Sequence, residues 1–163
     1  MSGVAIRAAV PGDVPLILTF IRELAAYEKL AHEVVATEAS LDSTLFGPNP
    51  RAEVLIAEVD GAPAGLALFF HNYSTFLGRA GIYLEDLYVR EAFRGRGAGR
   101  LLLTRLAAVA VERGCARLDW AVLDWNEPAI AFYRKLGAVP KDEWTVFRLS
   151  GAGLRRLAGV DAG

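Results

Sequence analysis

The stretch Arg94-Gly95-Arg96-Gly97-Ala98-Gly99-Arg100 sets three arginines and three glycines in seven consecutive positions. Glycines allow successive backbone N–H groups to turn toward an anion, and arginines add charge-assisted donors. The stretch follows Ile82–Val89, which alternates as a strand. It precedes Leu102, Leu103, Leu106 and Ala110, which recur at helical spacing. A helix starting at Gly99 adds unsatisfied amides and the positive end of its dipole. The chemistry expected there is the holding of a pyrophosphate. A Walker A loop is excluded because no Lys-Ser or Lys-Thr follows. The dinucleotide fingerprint is excluded because the glycines are evenly spaced, two residues apart.

The elements that must position this loop are legible in part. Val4–Arg7 reads as a first strand, and Asp13 as the cap of a helix beginning near Pro15, with Leu16, Phe20, Leu24 and Tyr27 at helical spacing. Thr37 can cap a second helix over Thr37–Leu45, stopped by Gly47-Pro48. Ala52–Val59 and Pro63–Phe70 are apolar runs joined by Asp60-Gly61, a strong hairpin signal. After the loop helix, closed at Gly114, Ala116–Val122 reads as a strand. Asn126 then caps a helix over Glu127–Leu136 closed by Gly137, and Trp144–Leu149 reads as a last strand. The tail beyond Gly151 reads as a frayed terminus or a partner contact. This order of elements predicts an α/β fold built on a mostly antiparallel sheet.

Bulk properties narrow the function. The 163 residues fit one domain, spanning 1–163, and 53% hydrophobic with 23% charged residues supports a packed core. A net charge of −1 gives no field for nucleic acid. The apolar run Gly65–Phe70 is far below the roughly 20 residues of a spanning helix, so no membrane contact is expected. One cysteine and no secretory leader pattern point to the cytoplasm. Cys115, which enters an apolar strand, reads as a buried thiol rather than an acyl carrier. His32 and His71 are isolated, so no metal is expected. Trp120, Trp125 and Trp144 read as packing residues.

Arg94, Gly97 and Gly99 after a strand resemble the acetyl-CoA motif of the GNAT N-acetyltransferases. The likeness is sharpened by Tyr83-Leu84-Glu85-Asp86-Leu87-Tyr88-Val89 before the loop. After it come Leu123-Asp124-Trp125-Asn126-Glu127-Pro128 and Phe132-Tyr133-Arg134-Lys135-Leu136-Gly137-Ala138. Together these are similar to the diamine (spermidine/spermine) and thialysine acetyltransferase branch, over nearly the whole chain. The resemblance implies a GNAT-like mixed sheet, flanked by helices and splayed to admit acetyl-CoA, and a homodimer. It implies that Leu87, Tyr88 and Val89 pair with the pantetheine arm and that Arg94, Gly95, Arg96, Gly97, Ala98, Gly99 and Arg100 hold the pyrophosphate. Asn126, Glu127, Pro128 and Tyr133 complete the cofactor contacts, and Tyr27, Glu28, Glu85, Asp86 and Glu143 line the acceptor site. Tyr73-Ser74-Thr75-Phe76 is closer to the thialysine members, since polyamine members carry an acid near Ser74. A short acceptor with its own carboxylate is then expected, met by an arginine such as Arg79.

The chemistry implied is direct attack of a small-molecule primary amine on the thioester. An ammonium is not nucleophilic and a leaving thiolate benefits from a proton. Glu85 is the expected base and Tyr133 the expected acid. Glu85 and Asp86 are neighbours, so in a regular strand they face opposite sides. The alternatives are a protein or peptide N-acetyltransferase, which needs an open groove, and a non-catalytic acyl-CoA sensor, which needs neither Glu85 nor Tyr133.

Overall fold

The computed structural model describes residues 3–160. The chain divides into two compact units, Met1–Leu123 and Asp124–Gly163, each described by itself below.

The first unit is a five-stranded sheet in the order β1-β2-β3-β4-β5. The strands are β1 (Val4–Ala8), β2 (Glu53–Val59), β3 (Ala62–Ser74), β4 (Arg79–Val89) and β5 (Leu118–Trp120). The first four pair antiparallel and β5 joins β4 in parallel, giving the mostly antiparallel mixed sheet expected. At the β2–β3 turn Val59 pairs with Ala62, and both Asp60 and Gly61 take positive φ, the geometry a two-residue hairpin requires. Gly65 is dictated by packing, because a Cβ there would lie 2.1 Å from the carbonyl oxygen of Tyr88.

Helices cover both faces. On one face α1 (Val14–Tyr27) and α2 (Glu38–Phe46) bury Ile17, Phe20, Leu41 and Leu45 against Val54, Ile56 and Leu66. Thr37 caps α2 as expected, its hydroxyl accepting from the Ser40 amide at 3.1 Å. Asp13 stands at the N-cap position of α1 as expected, but its side chain makes no capping hydrogen bond to the helix. Its carboxylate instead accepts from the Val10 amide at 2.8 Å and from Arg7, closing the turn before the helix. The helix α3 (Ala98–Glu112) buries Leu102, Leu103 and Leu106.

Two features of β4 matter for the site. The register with β3 slips between Leu68 and Phe69: Phe69 pairs with Leu84 but Leu68 pairs with Asp86, so Glu85 is the extra residue of a β-bulge. On the other side, β5 pairs with β4 only over Ile82–Leu84. Among the described residues, the main chain of Glu85–Val89 therefore has no strand partner on that edge, and the expected strand Ala116–Val122 is reduced to three residues.

In the second unit, α4 (Glu127–Lys135) starts at Asn126, whose side chain accepts from the Ala129 amide at 3.4 Å. It is closed by Gly137 in a left-handed conformation. The expected strand at Trp144–Leu149 is not formed: residues 145–149 have no regular structure. The sequence pattern there is strand-like, but a strand exists only with a neighbour to bond. Instead of fraying, the tail forms α5 (Gly151–Leu157).

Candidate active site

The bulge decides where the carboxylates point. Cross-strand partners share a face, so Tyr83 lies with Phe70 and Asp86 with Leu68. Phe70 and Leu68 are two residues apart and share a face. Tyr83 and Asp86 are three apart and share it too, which requires the extra residue Glu85. In a regular strand Glu85 would share the face of Tyr83; the bulge gives that place to Asp86. Both stand in one electrostatic neighbourhood. Burial is the largest influence on the Asp86 carboxyl, followed by the charges of Glu85 and Glu28, and together they push its pKa up to about 6. Glu28, just beyond α1, is raised in the same direction by burial. Two negative charges thus converge on one half-buried carboxylate, an arrangement that costs free energy until a cation arrives.

The floor of this face continues away from Asp86. Tyr83, the neighbour of Asp119 across β4–β5, has its phenol raised by burial and then by the charges of Glu85 and Asp119. Asp119 pairs with Arg117 at 3.1 Å and lies 3.4 Å from the Asn72 amide nitrogen. Gly81 makes this reach possible, because a Cβ there would lie 2.5 Å from Asn72 Oδ1. Arg117, Asp119 and Asn72 carry no sequence signal, since only the parallel β4–β5 pairing brings them together. Ser74 is buried at the far hairpin, its hydroxyl accepting from the Leu77 amide, and Arg79 donates to the Gly114 carbonyl. Ser74 thus holds the turn, and Arg79 ties the start of β4 to the residue that follows α3.

At the opposite end of β4 lies the glycine loop. Gly97 is the N-cap of α3 with φ 89°, which favours glycine, and nothing stands within 4 Å of where its Cβ would be. An anion can therefore reach the main chain. Leu101 is the residue whose amide first closes on Gly97, so the amides of Ala98, Gly99 and Arg100 have no intrahelical acceptor. Arg94 donates to the Val89 carbonyl at 2.9 Å and stacks its guanidinium over Tyr27, 5.0 Å from the ring centre. Arg96 is paired with Asp60 at 2.8 Å. Arg100 is exposed in the first turn of α3.

The remaining sequence-predicted residues lie in the second unit. Asn126 is buried as the cap of α4, Glu127 and Pro128 form its first turn, and Tyr133 is half-buried, its ring 5.7 Å from that of Phe132. Glu143 is exposed and paired with Lys141 at 2.9 Å, which lowers its carboxyl pKa. Trp144 is 72% exposed, against the packing role expected of it. In the first unit, Cys115 is buried as expected.

The profile of the acetyltransferase (GNAT) family matches residues 21–138. The chain belongs to the GNAT family. This GNAT chain is 43% identical to the thialysine N-epsilon-acetyltransferase of Sus scrofa, over 98% of its own length and 99% of the relative's. It is 36% identical to the L-ornithine N5-acetyltransferase of Arabidopsis thaliana, over 93% and 86% of the two chains. Among solved structures, an integron cassette protein from the V. cholerae mobile metagenome superposes with a TM-score of 0.79. That structure is 28% identical, over 96% of this chain and 98% of its own. The protein is an acetyltransferase, and acetyl-CoA is the acetyl donor of its family. The loop fits such a donor: it offers open left-handed glycines, free helix amides and arginines to a pyrophosphate, while the strandless edge of Glu85–Val89 offers main-chain groups to an amide-bearing arm.

Two glycines separate fold from binding. Gly99 has ordinary backbone geometry, and a Cβ there would meet only Val89 at 3.7 Å. Gly99→Ala is therefore expected to keep the melting temperature while weakening CoA, and Gly97→Val to weaken it further through positive φ. Calorimetric titration of CoA against both variants checks this, and unchanged affinity in both overturns the loop assignment.

The raised carboxyl of Asp86 sets a pH dependence. A folded-state pKa above the unfolded value favours the native state at low pH, and this contribution is lost as pH rises through about 6. Asp86→Asn is thus expected to be about 1–3 kcal/mol more stable than the parent at pH 7.5. The gap should close toward pH 4. Denaturant unfolding at both pH values measures it.

Proposed function

We propose that this GNAT chain transfers the acetyl group of acetyl-CoA to the primary amine of a small, amino-acid-like acceptor of the thialysine or ornithine type. The observation that carries this reading is the convergence of Glu28 and Glu85 on the half-buried Asp86, a site that an ammonium group neutralises. Relatives named for thialysine and ornithine acetylation support the acceptor class.

Asp86 and Glu85 hold the acceptor ammonium and take its proton. Asp86 suits the role of base, because a carboxyl raised to about 6 takes a proton near neutral pH. The freed amine attacks the thioester carbonyl, a C–N bond forms and the C–S bond breaks. Main-chain amides of Leu87, Tyr88 and Val89 hold the arm and the developing oxyanion. Arg94, Gly95, Arg96, Gly97, Ala98, Gly99 and Arg100 hold the pyrophosphate, with Arg96 first leaving Asp60. By family resemblance Asn126, Glu127 and Pro128 add donor contacts and Tyr133 protonates the leaving thiolate. Tyr27 and Glu28 border the acceptor, and Glu143 is a further acceptor residue by family resemblance alone.

Acetyl-CoA consumption with thialysine, ornithine, spermidine and a lysine peptide tests this. Thialysine and ornithine are expected to give the highest kcat/KM. Asp86→Asn should lose about 10²–10⁴-fold in turnover, the range of a general base, and Tyr133→Phe should lower kcat with little change in the KM for acetyl-CoA. Turnover of the peptide alone overturns the acceptor class, and no turnover with any acceptor favours a sensor.

The same reading takes the chain as one N-acetyltransferase domain, the family match running across both units. It also takes the chain as a cytoplasmic homodimer. Support for the dimer comes from residues 145–149: Val146 and Phe147 are 86% and 93% exposed, and no hydrogen bond reaches this segment among the described residues. With Trp144, Leu154 and Leu157 the exposed surface is roughly 700 Å², close to the ~800 Å² per partner of a stable interface. Light scattering is expected to give twice the chain mass, and replacing Val146 and Phe147 together by Lys is expected to give one.

A further inference from the structure

We propose that the ion pair Arg117–Asp119, held in place by Asn72 across Gly81, is the receptor for the α-amino-acid head of the acceptor. This rests on the acceptor reading above and names what selects among small amines. The pair lies on the same face of the sheet as Asp86: Asp119 is the cross-strand neighbour of Tyr83, and Arg117 is two residues before it in the strand direction. From Tyr83 to Asp86 is three residues of β4, roughly 10 Å at the rise of a strand and less across a bulge. The α- and ω-nitrogens of an extended thialysine are about 7–8 Å apart by bond lengths. An ω-ammonium at Asp86 thus brings the head of such a molecule over Arg117 and Asp119.

The chemistry of the pair matches that head. Arg117 Nε and Asp119 Oδ2 lie 3.1 Å apart, with side chains 45% and 40% exposed. They present a plus and a minus side by side, as an α-amino acid presents its ammonium and carboxylate. The ammonium faces Asp119 and the carboxylate faces Arg117, making a four-charge cluster in which every charge gains a second partner. A pair this exposed contributes little on its own, so the fold does not depend on it. The cost of placing it is visible nearby. Asn72 Oδ1 is buried without a hydrogen-bond donor while its amide nitrogen is turned to Asp119. Such an orphaned acceptor opposes stability and marks a place where geometry is set by something other than folding. Gly81 must lack a side chain for that reach, since a Cβ would meet Asn72 Oδ1 at 2.5 Å and the Arg117 side chain at 3.4 Å. Asn72 and Gly81 are positioning residues, while Arg117 and Asp119 touch the acceptor.

The test uses three acceptors that share one reacting end: thialysine, bis(2-aminoethyl) sulfide, which lacks the carboxylate, and 2-(ethylthio)ethylamine, which lacks the whole head. The full-length chain is expected to prefer thialysine over 2-(ethylthio)ethylamine by at least tenfold in kcat/KM, through KM. Arg117→Gln should collapse the preference of thialysine over the diamine, and Asp119→Asn that of the diamine over the monoamine. Arg117→Lys should restore part of the first. Each preference is a ratio within one variant, so a general loss of folded enzyme leaves it unmoved. Equal use of all three acceptors, or ratios unchanged in both variants, overturns the head-group receptor while leaving the acetyltransferase reading intact. If none of the three is acetylated, the acceptor reading beneath it fails instead.

Discussion

A carboxylate is stable in water because water surrounds it, and any fold that withdraws that water must supply a positive charge or raise the proton affinity of the group. Asp86 is in that position, and Glu28 and Glu85 add to the burden rather than relieve it. The first unit has arginines near other carboxylates: Arg90 against Glu23, Arg113 against Glu53 and Arg7 against Asp13. Among the described residues, Glu28, Glu85 and Asp86 form no ion pair with a neighbouring arginine or lysine. This unbalanced charge is what the proposed acceptor site rests on, and it gives the fold a pH dependence centred on Asp86.

The donor side is built from the opposite charge by different means. There the fold supplies main-chain amides and an exposed arginine at the start of α3, with Gly97 keeping the backbone open. Arg94 belongs to both sides, because it ties the end of β4 through the Val89 carbonyl and lies over Tyr27, the last residue of α1. The strand β4 thus carries acid at its middle and leads to the cationic loop at its end. Its edge between them is left without a strand neighbour by the shortness of β5.

What the sequence revealed followed the range of the forces involved. The Asp60-Gly61 hairpin, the Thr37 cap and the loop opening α3 are local, each set by a few adjacent residues. The face of Asp86 was not legible, because a bulge is a mismatch between two strands and neither strand alone shows it. The same limit hid Arg117 and Asp119, which meet Tyr83 only through a parallel pairing that follows the whole of α3. Asp13 looked like a helix cap and serves Arg7 and the Val10 amide instead, since a nearby guanidinium competes for the same oxygens. Trp144–Leu149 has the alternation of a strand without a neighbour inside the described chain. Periodicity records which side a residue would face, not whether a partner is present.

The bulge at Glu85 has a consequence for how this enzyme can change. It is a matter of counting: β4 has one more residue than β3 over the same span, whatever side chain stands at the extra position. Substitution at position 85 can therefore alter the charge offered to an acceptor while Asp86 keeps its face. Loss of that single residue would leave Asp86 opposite Leu68 and return the two strands to regular register, so the face of Asp86 survives deletion there as well as substitution. Position 85 is thus one that the sheet can change or drop without turning its neighbours over.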